Sequence, residues 1–484
     1  MEPMASATRA APDRPLLIGA EWLETGEWLE VRSPYSGELV GRVARAGAGE
    51  TRRAIDAAHA ALAEPLPAHK RAEILVRVAG LLGRRHDEIA RLISAEAGKP
   101  LKAARVEVRR AMSTYTMSAV EARKLAGEMV PMDASQAGEG KLAFTLRRPI
   151  GVVGAITPFN FPLNLVAHKI APALAAGCPV VLKPASQTPL SALLLAELEQ
   201  EAGLPAGWLN VVVGPAAEIG DAIVADERVE LISFTGSGPV GWKLAERAPK
   251  KRVNLELGNA TPAVVAADAD LEAAAEKLAA NAFSFAGQSC ISVQRIYVER
   301  AAHEAFLEHF LEGVRGLRVG DPADEETDVG PVIDEAARAR ILDWIDEARS
   351  GGARILLGGE LEGELIAPTV IADADAGLKV SCEEVFGPVV TVNPVDSLDE
   401  AFRLANATRF GLQAGVFTAD LEHALRAFDQ IEAGGVIVND VPTWRIDHMP
   451  YGGVKDSGLG REGPRYTIEE MTEPRLLVIN RQLT

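Results

Sequence analysis

Three cysteines occur in the 484 residues, and one sits where a nucleophile could work. Cys290 ends the run FSFAGQSC, beside a Gly-Gln pair and after a helical segment, whereas Cys178 lies in the apolar AAGCPVVL and reads as a packing residue. A lone cysteine is more often structural than reactive, so Cys290 needs companions. One candidate is Gly236-Ser237-Gly238-Pro239-Val240-Gly241, which fits GxGxxG, follows the strand-like VELISFT and precedes the helix-like WKLAERA. That is the context of a phosphate-binding loop, where backbone N–H groups and a helix N-terminus meet negative charge. Pro239 falls early in the helix, where its missing N–H costs nothing. Glu256 lies twenty residues beyond Gly236, the distance of a ribose-binding acid. The usual fingerprint opens the first βαβ unit, however, and this one comes late in its series. The loop keeps the phosphate role, and Glu256 is open to another.

These residues need elements to hold them. From Ile150 the chain alternates IGVVGAIT, LNLVAHKIAPALAAG, PVVLKP, LSALLLAELEQEAG, LNVVVG and VELISFTG. Strand and helix in succession imply right-handed crossovers and a parallel, doubly wound sheet that binds ligands at its carboxyl edge. A second α/β series follows Glu256, with PAVVAA, an Ala-rich helix through Phe285, QRIYVE, another helix, GPVVTV, GLQAGVFT and GGVIVND. Before Gly127 the chain is mostly amphipathic helix, as in AEILVRVAGLLGRRHDEIARLISAEAG, expected to pack on the first sheet. Gly127 to Arg147, with KLAFTLRR, and Glu470 to Asn480, with RLLVIN, read as edge strands seeking partners on another subunit.

Composition narrows the partners. A net charge of −18 repels nucleic acid and anionic lipid. Three scattered cysteines fit a reducing compartment, hence the cytoplasm. Met1 to Pro15 is Ala/Pro/Arg-rich, lacks the apolar run of a signal peptide and reads as a short disordered arm. The most apolar stretch, Ile150 to Leu182, is interrupted by Asn160, Asn164, His168 and Lys169, so it reads as a buried strand-helix-strand unit and not a membrane span. The eight histidines are scattered without His or Cys partners at ligand spacing, and no metal is expected.

TPFNFP with Asn160, VLKPAS with Lys183, FTGSGPVG, LELGN with Glu256, FAGQSC with Cys290, EEVFGP with Glu384, and MPYGGVKDSGLGREG occur in that order. Together they resemble the aldehyde dehydrogenase superfamily, over essentially the whole chain after residue 15. The resemblance implies an α/β fold: a Rossmann-type parallel-sheet cofactor domain (1–126 and 148–257), an α/β catalytic domain (258–455), a small oligomerisation strand element (127–147 and 470–484) and a return segment (456–469). It implies that the Cys290 thiolate attacks an aldehyde, that the Asn160 amide and Cys290 N–H hold the oxyanion, and that Glu256 activates the water that hydrolyses the thioester. Members that pass the acyl group to coenzyme A generally lack this glutamate, so water is the expected acceptor. A glutamate bracketed by leucines at a strand end is also placed for the raised pKa a base needs. For NAD or NADP the resemblance places Lys183 on the adenosine ribose, Ser237 at the pyrophosphate, Val240 beside the adenine, and Glu384 with Phe386 at the nicotinamide ribose. Thr157, Pro158, Phe159, Ser186, Gly214, Gly236 and Leu257 complete the expected cofactor set. A homodimer or homotetramer is implied.

Three positions depart from the family pattern. Ser186 replaces a glutamate that in many NAD-preferring relatives grips both ribose hydroxyls, so NADP should be tolerated. Phe159 stands for a common tryptophan. Asn259 stands for a second glycine, where a left-handed backbone is expected to survive. Asn164 and His168, four apart on one helix face, point to a small polar aldehyde, with similarity to lactaldehyde and non-phosphorylating glyceraldehyde-3-phosphate dehydrogenases. Arg105, Arg109, Arg445 and His448 are further tunnel candidates. The competing readings are a cysteine esterase or thioesterase without redox chemistry, which would act without nicotinamide, and a silent structural homologue, which should have lost Cys290 or Glu256.

Overall fold

The computed structural model describes residues 13–481. Five parallel strands form the first sheet: β1 (Val152–Ile156), β2 (Val180–Lys183), β3 (Leu209–Val211), β4 (Val229–Thr235) and β5 (Arg252–Glu256). Their order is 3-2-1-4-5. The chain winds outward from β1 to β3, then returns to the other side of β1 for β4 and β5. A crevice therefore opens at the carboxyl ends of β1 and β4, where the helices that follow diverge. Most strand residues are fully buried and β-branched or leucine, as a sheet covered on both faces requires. Gly458–Leu459 extends this sheet beyond β5, and Leu16–Ile18 with Glu21–Leu23 extends it beyond β3. The last two strands were not foreseen: three residues are too few to show an alternation.

Ala48–Ala61 packs on the strands, but Ala68–Arg84 and Leu101–Lys124 pack chiefly on one another and on the helix Asn164–Ala176, forming an outer layer instead of covering the sheet. Every residue of Asn164–Ala176 is buried, because the sheet takes one face and this helical layer the other. The expected N-terminal arm falls outside the described residues up to residue 12. Asp13–Arg14 is not disordered but pairs with Leu39–Ala44.

The second sheet has seven strands, in the order Arg354–Leu357, Thr369–Ala372, Val389–Val395, Val293–Glu299, Thr261–Val265, Gln413–Phe417, Gly435–Val438. All but the first are parallel, and they enclose a separate core around Phe306, Phe310 and Ile341. In a third sheet, Lys141–Pro149 and Thr472–Asn480 pair antiparallel with each other over their full length, and Met129–Val130 adds a third strand. Leu476, Leu477, Val478 and Ile479 are nevertheless exposed. No helix among the described residues is long and apolar enough to cross a membrane.

Candidate active site

Cys290 does not end a helix. The helix Leu271–Ala282 stops first, and a turn over Ser284–Gly287 carries Phe285 and Ala286 at φ 50° and 52°. Left-handed backbone at two residues other than glycine is strained, and it persists only where surroundings hold it. Gln288 is that hold: its Oε1 accepts from Ile333 N at 2.8 Å, and its Nε2 donates to the carbonyls of Phe285 and Pro331, each at 3.2 Å. Gly287 must be glycine, since a Cβ would strike the Gly387 carbonyl. The result is a fixed loop with Cys290 at its tip.

Two cavities meet at that tip. A cleft of about 690 Å³ occupies the crevice at β1 and β4, with Asn160, Glu256 and Cys290 in its wall. Of the expected cofactor residues, Pro158, Phe159, Gly236 and Ser237 line it from the first sheet. Leu257, Glu384 and Phe386 line it from the other side. Phe159 and Phe386 meet edge to face across it, centroids 5.8 Å apart. Glu384 Oε1 accepts from Asn259 N at 3.1 Å, and burial lifts its carboxyl to about 7. Lys183, Ser186 and Gly214 lie at strand ends outside the wall. Ser186 Oγ donates to the Gly214 carbonyl at 3.0 Å, and burial pulls Lys183 down to about 8. Thr157 Oγ1 is buried without a partner, and Val240 is half exposed. Asn259 does not take the left-handed backbone expected of it. Its Nδ2 instead donates to Thr261 Oγ1 at 2.9 Å and the Gln413 carbonyl at 3.1 Å, tying together two neighbouring strand ends of the second sheet.

Glu256 ends β5 and is 5% exposed, with Oε2 unpartnered. Burial first, and the Glu462 carboxylate second, push its carboxyl well above the ordinary range. Gly452 allows the approach, since a Cβ there would stand 3.0 Å from Glu256 Oε1. Asn160 follows β1 and is equally buried; its Nδ2 donates to the Gln288 carbonyl at 2.9 Å, and its Oδ1 has no partner. The Cys290 thiol is raised to about 11 by burial, against the Tyr451 hydroxyl and Arg445, which favour its ionised form.

The second cavity, about 280 Å³, runs from Cys290 past Tyr451, Asn164, Arg110, Lys99 and Arg445. Several tunnel expectations change here. His168 is fully buried outside the wall, its Nε2 3.0 Å from Asp447 Oδ1. Asn164 does line the tunnel, and its Nδ2 donates to the same oxygen at 3.2 Å. Arg105 is bound to Asp87 and Glu325 at the surface, His448 is exposed, and Arg109 is not in the wall. Arg110, one residue on, is; its Nη2 also donates to Asp447 Oδ1, at 2.9 Å. Arg445 lies in the wall as expected, its Nη2 donating to Glu462 Oε2 at 3.2 Å. Lys169 Nζ donates to Glu462 Oε1 at 3.1 Å and Ser233 Oγ at 3.0 Å. Burial opposes ionisation of Glu462, but Lys169 and Arg445 outweigh it and hold the carboxyl at about 2. Arg110, Lys169, Tyr451 and Glu462 were missed in the sequence. One signal was present: a lysine in an otherwise apolar helix implies a buried partner. At the surface, Asp268, Asp420 and His423 bring ligating atoms within 4.8 Å of one another, a grouping that sequence spacing does not display.

A cysteine held where a crevice at the carboxyl edge of the sheet meets a polar tunnel suits the expected oxidoreductase, and comparison with known proteins gives that class. The model of the aldehyde dehydrogenase family matches residues 22–477, and the chain belongs to that family. Its reaction is the NAD(P)-dependent oxidation of an aldehyde. It is 45% identical over 465 residues to a 3-sulfolactaldehyde dehydrogenase of Priestia megaterium, covering 96% of this chain and 98% of the relative. It is 39% identical over 471 residues to a lactaldehyde dehydrogenase of Methanococcus maripaludis, covering 96% and 100%. Among solved structures, aldehyde dehydrogenase 21 of Physcomitrella patens, in complex with the reaction product succinate, is 41% identical with a TM-score of 0.94 over 98% of this chain and 99% of that one. An NADP-dependent glyceraldehyde-3-phosphate dehydrogenase of Bacillus halodurans, complexed with NADP, is 38% identical at 0.94 over 97% and 99%.

Proposed function

We propose that the enzyme oxidises a small polar aldehyde, with an anionic group at its far end, to the carboxylic acid through a thioester on Cys290. The position of Cys290, where the cleft and the tunnel meet, carries the reading. Aldehyde arriving through the tunnel presents its carbon to the thiolate, and the oxyanion that forms takes hydrogen bonds from the Asn160 amide and the Cys290 N–H. The cleft fits a nicotinamide dinucleotide: Gly236 and Ser237 open a helix N-terminus to it, and the buried Thr235 Oγ1 in its wall is unpartnered. When bound, the nicotinamide supplies the hydride acceptor. Glu256, whose carboxyl burial and the Glu462 charge raise well above the ordinary range, takes a proton from the water that hydrolyses the thioester once it is ionised. Ser186 offers no charge against a 2′-phosphate and Lys183 offers attraction, so both NAD and NADP serve.

Arg110 and Arg445 give the tunnel its cationic groups, since the carboxylates that hold them, Asp447 and Glu462, stand outside the wall, whereas Lys99 is paired with Glu107 within it. The named substrates of the sulfolactaldehyde and glyceraldehyde-3-phosphate enzymes carry an acidic group in the same way. The exposed apolar face of the third sheet supports a homodimer or homotetramer, the charge balance argues against a nucleic acid partner, and the cysteine usage fits the cytoplasm. The test is a panel of neutral and anionic aldehydes with each nucleotide, alongside Cys290→Ser. That variant should lose all aldehyde-dependent nucleotide reduction while still binding nucleotide; retained turnover refutes the covalent route.

A further inference from the structure

Among the described residues, the hydrogen-bond partner of the Cys290 thiol is the Tyr451 hydroxyl, 3.0 Å away. Tyr451 is buried in the tunnel wall, and Glu462 fixes it twice over. The two backbones exchange hydrogen bonds, Tyr451 N to the Glu462 carbonyl at 3.0 Å and Glu462 N to the Tyr451 carbonyl at 2.6 Å. The Arg445 guanidinium that the Glu462 carboxylate holds lies 3.6 Å over the Tyr451 ring. The phenol oxygen therefore cannot move away from the sulfur without disturbing a buried ion pair. Burial and the charges of Cys290 and Glu256 push the phenol's ionisation far above its ordinary range, so it keeps its proton. A protonated phenol beside an ionised sulfur is a hydrogen-bond donor.

We propose that Tyr451 is a catalytic residue of the acylation step, whose O–H donates to the Cys290 thiolate and holds the sulfur at the inner end of the tunnel. The inference rests on Cys290 being the nucleophile, as proposed above. The thiol proton leaves to solvent through the cleft as the thiolate forms beneath the Tyr451 O–H. The sulfur lone pair then makes the C–S bond, the carbonyl π pair moves to oxygen, and the charge passes from the neighbourhood of Tyr451 to that of the Asn160 amide. Tyr451 returns to its starting state without transferring its proton. Other groups facing the sulfur set the balance: Arg445 favours the thiolate, while burial, Glu384 and Glu256 oppose it. Lys99, Glu107 and Arg110 line the same tunnel, the first two as an ion pair. Tyr451 and Arg445 are the main groups acting in favour of ionisation.

Tyr451→Phe keeps the ring under Arg445 and removes the donor. The rate of iodoacetamide alkylation at Cys290, followed by peptide mass against pH without aldehyde, reads the thiolate directly. The variant's midpoint should rise by about one to two pH units, the worth of a hydrogen bond to a charged group. Its aldehyde kcat/KM at pH 7 should fall about 10- to 100-fold and recover as pH rises. An alkylation midpoint equal to that of the native enzyme overturns the proposal while leaving Cys290 as the nucleophile. A native enzyme in which Cys290 resists alkylation at every pH overturns the reading of Cys290 and this inference with it. If the variant does not fold, replacing the five tyrosines with 3-fluorotyrosine keeps the shape and strengthens the donor. The midpoint should then fall, and a midpoint that stays in place overturns the proposal.

Discussion

Asn160→Ala deletes the side-chain amide proposed to meet the oxyanion, and the structure shows how little else it disturbs. At rest Nδ2 donates to the Gln288 carbonyl at 2.9 Å, and Oδ1 is buried without a partner. The Cys290 loop does not depend on that bond, because the Gln288 side chain is held independently by Ile333 N and by the carbonyls of Phe285 and Pro331. The cost to the fold is one neutral hydrogen bond, about 0.5–1.5 kcal/mol, partly offset by removal of the orphaned carbonyl. On the proposed mechanism the cost to the reaction is larger, because the same amide then meets charge that develops only on the way to the transition state. Loss of one such donor is worth about 2.7–4 kcal/mol, a factor of about 10²–10³ in rate. Stopped-flow measurement of the first turnover at saturating aldehyde isolates acylation from hydrolysis. The burst rate should fall by about 10²–10³, with KM within about threefold of native and thermal stability little changed. A loss smaller than about tenfold, or one confined to KM, refutes the placement of the oxyanion at Asn160.

Glu256→Gln should keep the burst and lower steady-state turnover by about 10²–10⁴, with an acyl adduct on Cys290 visible by intact-protein mass spectrometry; absence of the adduct points to another base. The native pH profile follows from the raised Glu256 carboxyl. The base form is lost as pH falls through that elevated value, so hydrolysis-limited kcat should still be climbing with pH above the range where an ordinary carboxylate has finished titrating. Glu462→Gln removes the anion opposing Glu256 and should move that limb to lower pH; an unmoved limb separates the two carboxyls. Arg110→Met should raise KM for an aldehyde carrying a carboxylate by about 10- to 100-fold and leave a neutral aldehyde within a few fold, and equal effects on both refute the anion reading. Leu477→Asp, on the exposed face of the third sheet, should give a smaller species by light scattering at unchanged secondary structure.

What the sequence displayed and what it hid divide along a physical line. Cys290, Asn160, Glu256 and the Gly236–Ser237 loop reach one cleft because three of them stand at carboxyl ends of parallel strands, and alternation of strand and helix shows those ends in advance. Buried charge partners leave no such trace. Lys169 and Glu462 are 293 positions apart, and only the closing glycine segment folding back over β5 brings them together. Helical spacing grouped Arg105 with Arg109, but which face meets the tunnel depends on how Leu101–Lys124 packs. Packing selected Arg110, a rotation of about 100° away. The turn over Ser284–Gly287 was hidden for a different reason, since left-handed Phe285 and Ala286 contradict their own propensities and hold that backbone only in their surroundings.

The same distinction explains why two neighbouring buried glutamates do different work. Burial alone would keep both protonated. Glu462 receives Lys169 on one oxygen and Arg445 on the other, and it stays ionised as the counter-ion that holds Arg445 over Tyr451. Glu256 is left with an unpartnered oxygen, and burial with the Glu462 charge raises its carboxyl against the pull of Arg445, Lys169 and Arg461, which makes it a stronger base than an ordinary carboxylate. The cations could not be shared without cost. If Arg445 moved to Glu256, that carboxylate would become too weak a base to activate water, and Tyr451 would lose the guanidinium that aims its hydroxyl at the sulfur. On the proposed mechanism, acylation and hydrolysis thus depend on one ion pair being made to Glu462 and not to Glu256.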